Sequence, residues 1–380
     1  MQSHCAAEAA LVAAMKLLFA DSTTRGYGTE QHAAALAIAT MQRGHAVRCI
    51  VRGGSAMEAI LRQAGVPCVA VPPGRASGVR VVLRLIRLAQ RERPDWLVTG
   101  DGRFHWVFMG LRRLLGARVA FFRHWPVVPK SARTRRMLSS RADRFILVSR
   151  FHRDEYRRQG MDVARAAVLY NPIDTERFRP SQEWRAKTRA QFGIDSSSIV
   201  VGYAGRMVRD KGIFTLLEAL ESVLADAPQA HAIWVGDGAD AAALRERAKL
   251  SSGAARHHFL DWQSDLAQLY PACDLIVVPS IIAETFGRVS VEAQSAGVPV
   301  VVSDAGGLRE TLIPGETGLV SAAADSASLA ALINELIRDG ERRAHMGAAG
   351  RAWVCAHFSF GQIAREFESL LREEPPPANG

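Results

Sequence analysis

Short apolar runs alternate with amphipathic helical patterns along the chain, and this alternation is typical of βαβ units and parallel sheets. Six apolar runs in the first half and five in the second have the length of buried strands. The predicted strands are residues 16–20, 47–51, 68–71, 96–99, 119–122, 145–148, 199–203, 231–235, 258–260, 275–278 and 300–303. We therefore expect an α/β protein in which each half of the chain forms its own doubly wound parallel sheet.

A chain of 380 residues is too long for one compact core, and the pattern indicates where it divides. Residues 170–180 contain two prolines and no periodicity, so they predict a hinge, while residues 326–371 predict three helices. The expected parts are a disordered extension at 1–14, an N-terminal Rossmann-like domain at 15–175, a C-terminal Rossmann-like domain at 176–357, and at 358–380 a helix that packs back on the N-terminal domain, plus a frayed tail.

Composition narrows the class of protein. The chain is 48% hydrophobic and 23% charged, which is typical of soluble globular proteins, and no apolar run approaches the roughly 18 to 20 residues of a membrane span. The five cysteines are scattered without CxxC spacing, so they predict neither a disulfide framework nor a zinc site. Because the first 14 residues also lack the pattern of a secretory signal, we expect a cytoplasmic protein.

The two halves of the chain carry net charges of opposite sign. Up to residue 180 there are 30 Lys and Arg against 13 Asp and Glu, a net charge of +17, and beyond it 18 against 25, a net charge of −7. A basic half attracts nucleic acid, an anionic membrane or a phosphorylated substrate. The predicted helix at 79–91 carries four arginines beside an apolar stripe. This pattern predicts either contact with an anionic membrane or a sheet-covering helix with a solvated basic face.

The aromatic residues argue against nucleic acid as the partner. A protein that binds single strands interleaves exposed aromatic side chains with its basic residues. The aromatic residues of the basic half lie instead in apolar patterns that predict core positions, namely Trp96, Phe104, Trp106, Phe121 and Phe122.

One loop of the second half has the features of an anion site. A predicted strand ends at Gly205-Arg206, and Lys211-Gly212 precedes an amphipathic helix. The amides at a helix N-terminus favour an anion, Arg206 can grip phosphate oxygens in a bidentate fork, and Lys211 adds a point charge. The loop lacks the spacing of a Walker loop, so the alternative of a solvent-facing turn stays open.

Two glutamates bracket another strand-to-helix turn. Glu284 follows the apolar run 275–279, and Glu292 lies eight positions later in the predicted helix 289–296. Ligands of open α/β sheets bind at the carboxyl ends of strands, so both carboxylates are candidates for one ligand. A helix with two glutamates is also typical of a solvated surface, and geometry alone leaves both interpretations open.

Taken together, the motifs of the second half resemble those of the retaining glycosyltransferases of family 4, which have the GT-B fold. The motifs are Gly205-Arg206, Lys211-Gly212, Val235-Gly236-Asp237-Gly238, Pro279-Ser280, Glu284 with Glu292, and Gly306-Gly307 with Glu310. The resemblance covers residues 15–372 and implies two Rossmann-like domains that face each other across a cleft. It also implies a sugar-nucleotide donor on the second domain and an acceptor on the first.

The resemblance assigns roles to individual donor-side residues. Glu292 is expected to accept hydrogen bonds from the ribose hydroxyls, and Glu284 to contact the hydroxyls of the donor sugar. Arg206 and Lys211 would neutralise the diphosphate in place of a metal ion, so neither a metal nor a cofactor is expected. The remaining donor-binding candidates are Gly28, Gly205, Gly236, Gly238, Phe286 and Gly287. Gly28 belongs to a loop in which the family's adjacent glycine pair is replaced by Gly26-Tyr27-Gly28.

Two residues of the first half complete the candidate site. His124 corresponds to a histidine that the family often places beside the donor sugar, and a purely structural role is the alternative. With Arg206, Lys211 and Glu284 it forms the expected catalytic set. Asp101 follows the strand 96–99 and is either an acceptor-side carboxylate or the cap of the next helix.

The expected function is retaining transfer of a hexose from a UDP- or GDP-sugar to a glycan or glycolipid. The basic first half favours an anionic acceptor, such as a lipid-linked glycan or a lipopolysaccharide core, and peripheral contact with the inner face of the cytoplasmic membrane. Since no nucleophilic carboxylate is identified, same-face transfer is expected, with the leaving diphosphate taking the acceptor's proton. A sugar-nucleotide epimerase or a phosphorylase of the same fold, and more remotely a nucleic-acid-binding protein, are the alternatives.

Overall fold

Both halves of the chain form open sheets in which every strand is parallel to its neighbours, as the alternating pattern predicts. The computed structural model describes residues 13–22, 28–71, 77–263 and 265–374. Residues 1–12 of the expected extension and 23–27 of the glycine loop lie outside the described residues. The prediction of two doubly wound α/β domains is confirmed.

Within the described residues, the N-terminal sheet has seven strands. They are β1 (Lys16–Asp21), β2 (Ala46–Arg52), β3 (Cys68–Val71), β4 (Trp96–Thr99), β5 (Arg118–Arg123), β6 (Arg144–Leu147) and β7 (Ala166–Val168). The helices between them are α1 (Gly28–Gln42), α2 (Ala56–Gln63), α3 (Ser77–Glu92), α4 (His105–Leu115), α5 (Ala132–Arg136), which continues into a π-helical turn (Met137–Arg141), and α6 (Arg150–Arg158). The strand order is β3-β2-β1-β4-β5-β6-β7, so the order reverses between β1 and β4.

The C-terminal sheet has six strands in the part of the chain that the structure describes. They are β8 (Ile199–Ala204), β9 (Ala230–Val235), β10 (His257–Leu260), β11 (Leu275–Val278), β12 (Val300–Ser303) and β13 (Gly318–Ser321). Its helices are α7 (Gln182–Gln191), α8 (Ile213–Asp226), α9 (Ala241–Lys249), α10 (Arg288–Ser295), α11 (Ser326–Arg338) and α12 (Gly340–His357), with short 3₁₀ turns at Arg209–Lys211, Ala254–Arg256, Tyr270–Ala272 and Gly307–Thr311. The strand order is β10-β9-β8-β11-β12-β13, which reverses between β8 and β11.

Each sheet has a hydrophobic core on both faces, because neighbouring residues of a strand point to opposite sides. In β1, Leu18 and Ala20 pack into one core while Leu17 and Phe19 pack into the other. Two further cores cover the faces of the C-terminal sheet. Burial on both faces explains why the central strands are continuous apolar runs rather than alternating ones.

The chain crosses between the domains twice, and the two crossings are hydrogen-bonded to each other. The amide of Ile173 donates to the carbonyl of Phe358 at 2.7 Å, and the amide of Phe360 donates to the carbonyl of Ile173 at 3.1 Å. After the second crossing, α13 (Phe360–Arg372) buries Ile363 and Phe367 in a core of the N-terminal domain. The C-terminal helix is therefore part of the first domain's packing.

Three features of the fold differ from the predictions. The edge strands β7 and β13 were not predicted, because β7 has only three residues and β13 begins with a glycine. Trp106 was predicted as a core residue, and that prediction is wrong, since its side chain on α4 is 51% exposed. The other four aromatic residues of that set are buried.

Candidate active site

The candidate site lies where the strand order of the C-terminal sheet reverses. The chain leaves β8 into the loop 205–212 and leaves β11 into the loop 279–287, so the two loops flank the same crevice. They are joined by a backbone hydrogen bond of 2.9 Å from the amide of Ile281 to the carbonyl of Asp210. The structure therefore brings the two strongest motifs of the second half into contact.

Gly212 determines how the first loop meets α8. Its φ is 70°, and a Cβ at this position would lie 1.8 Å from the carbonyl oxygen of Pro279. Only glycine fits such a left-handed residue against the neighbouring backbone. It is the N-cap of the 14-residue helix α8, so the unbonded amides of the first turn lie beside the crevice.

Lys211, Ser280 and Glu284 form one polar cluster in the crevice. The ammonium of Lys211 is bonded to Oε1 of Glu284, and the hydroxyl of Ser280 donates to the same oxygen at 2.6 Å. Both charged side chains are 20% exposed. The backbone of Glu284 is held as well, because the amide of Gly307 donates to its carbonyl at 2.8 Å. The carboxylate is thus fixed in orientation and still open to a ligand.

Arg206 differs from Lys211 in having no side-chain partner among the described residues. Its side chain is exposed, and within the described ranges it makes neither a hydrogen bond nor an ion pair. Its backbone is anchored, since the hydroxyl of the buried Tyr203 donates to its carbonyl at 2.8 Å. An unpaired guanidinium beside a helix N-terminus is suited to an anionic ligand.

Glu292 is buried in α10, so the interpretation of this glutamate as a solvated surface residue is wrong. Its Oε1 accepts hydrogen bonds from Arg288 at 2.7 and 3.0 Å, and its Oε2 accepts one from the hydroxyl of Tyr270 at 2.9 Å. Burial and the neighbouring carboxylate raise the pKa of Tyr270 well above its ordinary value, so the phenol stays a donor.

The remaining donor-side candidates surround these clusters. Gly236 follows β9 directly, and a Cβ there would lie 1.9 Å from the carbonyl oxygen of Gly205, so these two strand ends are in backbone contact. Gly238 lies in the same turn, against the backbone of the loop 205–212. Phe286 is buried in the domain core, and Gly287 is the N-cap of α10.

The N-terminal domain contributes His124, which follows β5, and Gly28, the first residue of α1. The ring of His124 lies edge-on to that of His32, with 4.6 Å between their centroids. Burial, with smaller effects from His32, His152 and Arg123, lowers the pKa of His124 well below its ordinary value. Burial therefore favours the neutral form of its imidazole ring.

The carboxylate of Asp101 is hydrogen-bonded to neighbouring groups of its own domain. Its carboxylate accepts hydrogen bonds from the amide and side chain of Arg103 and from the hydroxyl of Ser22, the last at 2.7 Å. Burial alone would raise the pKa of Asp101, but the hydrogen bonds to Arg103 and Ser22 outweigh it and lower the pKa. The N-cap of α4 is Phe104, so Asp101 orders the turn before this helix without capping it.

The two domains meet beside the crevice through Glu310. Its carboxylate accepts hydrogen bonds from the amides of Arg150 and Phe151, the first two residues of α6, at 2.9 and 2.6 Å. The hydroxyl of Tyr170 donates to it at 2.8 Å. A carboxylate at a helix N-terminus satisfies free amides and complements the helix dipole. Glu310 therefore joins the C-terminal domain to the N-terminal one.

Sequence reasoning missed four residues at this site: His32, Tyr170, Tyr270 and Arg288. Arg288 had a signal, because it lies four residues before Glu292 on the same helix and can pair with it. His32 had a weaker one, as a polar residue in a buried, alanine-rich helix face. The two tyrosines act on partners 22 and 140 positions away, and no local pattern predicts such contacts.

The described part of the chain contains neither a metal-binding cluster nor a membrane-spanning helix. Among residues 13–22, 28–71, 77–263 and 265–374, no group of three or more His, Cys, Asp or Glu could hold a metal ion. In that part of the chain no helix combines the length and apolar character needed to cross a bilayer.

Two family models match the chain, one for each domain. The model described as "Glycosyltransferase Family 4" matches residues 27–177, and the model "Glycosyl transferases group 1" matches residues 185–353. The boundary between the matches falls in the segment that links the two sheets.

Curated relatives include mannosyltransferases. The chain is 31% identical over 259 residues to the GDP-mannose-dependent monoacylated alpha-(1-6)-phosphatidylinositol monomannoside mannosyltransferase of Corynebacterium glutamicum, covering 66% of this chain and 68% of that protein. It is 29% identical over 272 residues to the GDP-mannose-dependent alpha-(1-6)-phosphatidylinositol monomannoside mannosyltransferase of Mycobacterium tuberculosis, covering 69% of this chain and 70% of that protein.

Solved structures share the architecture. HepE from Anabaena, crystallised in complex with UDP and glucose, superposes with a TM-score of 0.79 at 26% identity. The match covers 94% of this chain and 99% of that chain. The similarity therefore extends over both domains and the cleft between them.

Proposed function

The chain belongs to glycosyltransferase family 4, with the GT-B fold and a nucleotide-sugar donor, and from this premise we propose a narrower activity. The protein transfers a hexose from a UDP- or GDP-sugar to an anionic lipid-linked glycan, such as a phosphoinositide glycolipid or a lipopolysaccharide core. Transfer retains the anomeric configuration and requires no metal ion.

The observation that carries the proposal is the arrangement of charge around the crevice. Arg206, in the loop that leads into α8, has no ion pair among the described residues, while Glu284 is held by Lys211 and Ser280 at the end of β11. The cation and the helix amides suit a diphosphate, and the oriented carboxylate suits sugar hydroxyls. Glu292 and its partners Tyr270 and Arg288 are the candidates for the ribose.

Retention follows from the chemistry these residues can perform. Glu284 and Glu292 are both in ion pairs, and burial lowers the pKa of His124, which weakens it as a base for the acceptor hydroxyl. In same-face transfer the leaving diphosphate oxygen takes the proton of the acceptor hydroxyl. The protein then supplies orientation and stabilises the departing charge, which Arg206, Lys211 and the amides of α8 can do.

The nature of the acceptor is supported by charge and by the relatives. The first 180 residues carry a net charge of +17, which suits a phosphorylated or lipid-anchored glycan. The corynebacterial and mycobacterial relatives act on phosphatidylinositol monomannosides. We extend this chemistry to the present chain and infer peripheral contact with an anionic membrane surface.

Thermal unfolding with nucleotides tests the donor half of the proposal. Either UDP or GDP should raise the melting temperature in proportion to the logarithm of its concentration, and inorganic phosphate should not. At about a hundredfold excess over Kd the stabilisation is about 2.7 kcal/mol, which corresponds to a shift of several degrees. The absence of a shift with both nucleotides would contradict the assignment of the donor site.

A further inference from the structure

His32 of α1 has one bonded ring nitrogen and one that has no partner within the described part of the chain. The side chain is 1% exposed, and its Nδ1 lies 2.6 Å from Oδ1 of Asn171. Its Nε2 is buried and has no hydrogen-bond partner among the described residues. Buried polar atoms of proteins are almost always bonded, so an unpartnered nitrogen calls for a ligand or a water molecule.

The bond to Asn171 fixes what this nitrogen can bind. An amide oxygen only accepts hydrogen bonds, so Nδ1 of His32 carries the proton and Nε2 presents a lone pair. Burial and the charge of Arg288 outweigh the bond to Asn171 and lower the pKa of His32 to about 4. The ring is therefore neutral at pH 7, and the missing partner must be a donor, such as a hydroxyl group.

The surroundings of His32 indicate a small polar group of a substrate. His32 lines a cavity at the carboxyl ends of β1, β4 and β5, and the open space is about that of one hydroxyl or water. The titratable groups that line the cavity with it are Asp21 and His124. Arg288 of the opposite domain is close enough for its charge to act on His32. The cavity thus lies in the first domain, near the cleft.

We propose that Nε2 of His32 accepts a hydrogen bond from a hydroxyl group of the glycosyl acceptor and that Asn171 positions the ring for it. This inference rests on the proposed function, since it requires an acceptor glycan in the N-terminal domain. His32 recognises and orients the hydroxyl and takes no proton from it. Asn171 precedes the first crossing between the domains, so the acceptor pocket is tied to the interdomain linker.

The tautomer can be measured without any substrate. In protein labelled with ¹⁵N at histidine, two-bond proton–nitrogen correlations should show His32 protonated at Nδ1 and bare at Nε2, with the assignment made by loss of its signals in His32→Phe. A proton on Nε2 would overturn the proposal, because the lone pair would not be available.

The substitution His32→Phe tests the function of the nitrogen, since it keeps an aromatic ring in place and removes the acceptor. The probes are phosphatidylinositol, phosphatidylinositol monomannoside and a lipopolysaccharide core as acceptors, with donor hydrolysis by water measured separately. Loss of one hydrogen bond should lower transfer about tenfold through the KM for the acceptor, with donor hydrolysis and the thermal shift by nucleotide unchanged.

The matched control is His105→Phe. His105 is equally buried in the same domain and its Nε2 also has no hydrogen-bond partner in the residues that the structure describes, but it does not line the cavity. This variant should transfer like the wild type. Equal transfer by wild type and His32→Phe would overturn the inference and leave the proposed function intact. A wild-type protein that glycosylates none of the three probes would overturn the proposed acceptor class, and the inference with it.

Discussion

At the scale of single residues, the two cations of the crevice differ. Lys211 is paired with Glu284, whereas Arg206 has no ion pair among the described residues. The ammonium of Lys211 forms an ion pair with Glu284. It therefore orients this carboxylate and contributes positive electrostatic potential at the crevice. Arg206 has no anionic partner among the residues that the structure describes, and a guanidinium can bind two phosphate oxygens at once. The donor's diphosphate would therefore complete the charge balance of Arg206.

Replacing both cations should abolish most of the activity. In the double variant Arg206→Ala, Lys211→Ala, kcat should fall by at least the ~10²–10³-fold typical of one lost oxyanion donor, because the departing diphosphate loses its stabilising charges. Steady-state transfer and donor hydrolysis measure the effect. Arg209→Ala is the control, since Arg209 lies in the same turn but is 75% exposed and pairs with Asp240. A double variant with near-normal turnover would refute the assigned roles.

The sequence predicted those site residues that lie at the end of a strand or before a helix, because this position already brings them to the crevice. Glu284 follows a strand and Arg206 precedes a helix, so the topology alone brings both to one crevice. His32 depends on Asn171, 139 positions away, and on a cavity made by three strand ends. Its Nε2 lacks a hydrogen-bond partner among the described residues because of this packing, and no local sequence pattern predicts that.

At the scale of elements, α3 and α4 form a face that combines basic and exposed apolar residues. Val79 and Leu83 of α3 and Trp106 of α4 are 69%, 46% and 51% exposed. The exposed arginines of α3 are Arg80, Arg84, Arg87 and Arg91. Tryptophan and arginine are favoured at the boundary between lipid headgroups and acyl chains. This face is our candidate for the membrane contact.

Removing the apolar side chains of this face should weaken membrane binding. The double variant Leu83→Ala, Trp106→Ala should bind vesicles of phosphatidylglycerol and phosphatidylcholine at least about tenfold less tightly, since each side chain loses roughly 1 to 3 kcal/mol of burial. Cosedimentation measures the affinity. Leu250→Ala removes an apolar side chain of the C-terminal domain that is more exposed, at 87%, and should have no effect. Wild-type binding by the double variant would exclude this face.

The elements themselves were predicted well where burial is two-sided. Central strands such as β11 are wholly buried, so their apolar runs are unambiguous. The edge strands β7 and β13 are short and have few large apolar residues, and they form because a neighbouring strand offers its free backbone groups. The predicted burial of Trp106 was wrong for a related reason. An apolar helix pattern does not identify which large residue lies at the margin of the buried stripe.

At the scale of the whole molecule, the domains are held by contacts that also surround the crevice. The hydroxyl of Ser149 donates to the carbonyl of Thr285 at 2.5 Å, one residue after Glu284. Glu310 bonds the N-terminus of α6, and the amide of Gly307 in the same turn holds Glu284. The relative placement of the domains therefore affects the loop that carries the donor-side carboxylate.

Buried histidines should make the protein sensitive to acid. Burial lowers the pKa of His32, His105 and His152 to about 4, below the ordinary 6.5 of an unfolded chain. Between pH 4 and pH 6.5 the unfolded chain binds more protons than the folded protein. The free energy of unfolding is therefore highest above pH 6.5 and decreases as the pH falls towards 4. At pH 5 each histidine costs about 2 kcal/mol relative to neutral pH.

Urea unfolding at pH 7 and pH 5 measures this loss in the wild type and in His105→Phe. Paired carboxylates also lose stability in acid, so the informative quantity is the difference between the two proteins. The variant should lose about 2 kcal/mol less than the wild type between the two pH values. An identical loss in both proteins would show that His105 does not stay neutral in the folded state.

The second crossing of the chain has a consequence for biosynthesis. Ile363 and Phe367 of α13 complete a core whose other members include Met15 and Leu17, at the opposite end of the chain. During translation the N-terminal domain leaves the ribosome first, yet part of its core arrives last. The C-terminal domain is thus the first that can finish its packing. In evolution, a recombination that exchanges the first domain between relatives must exchange α13 with it.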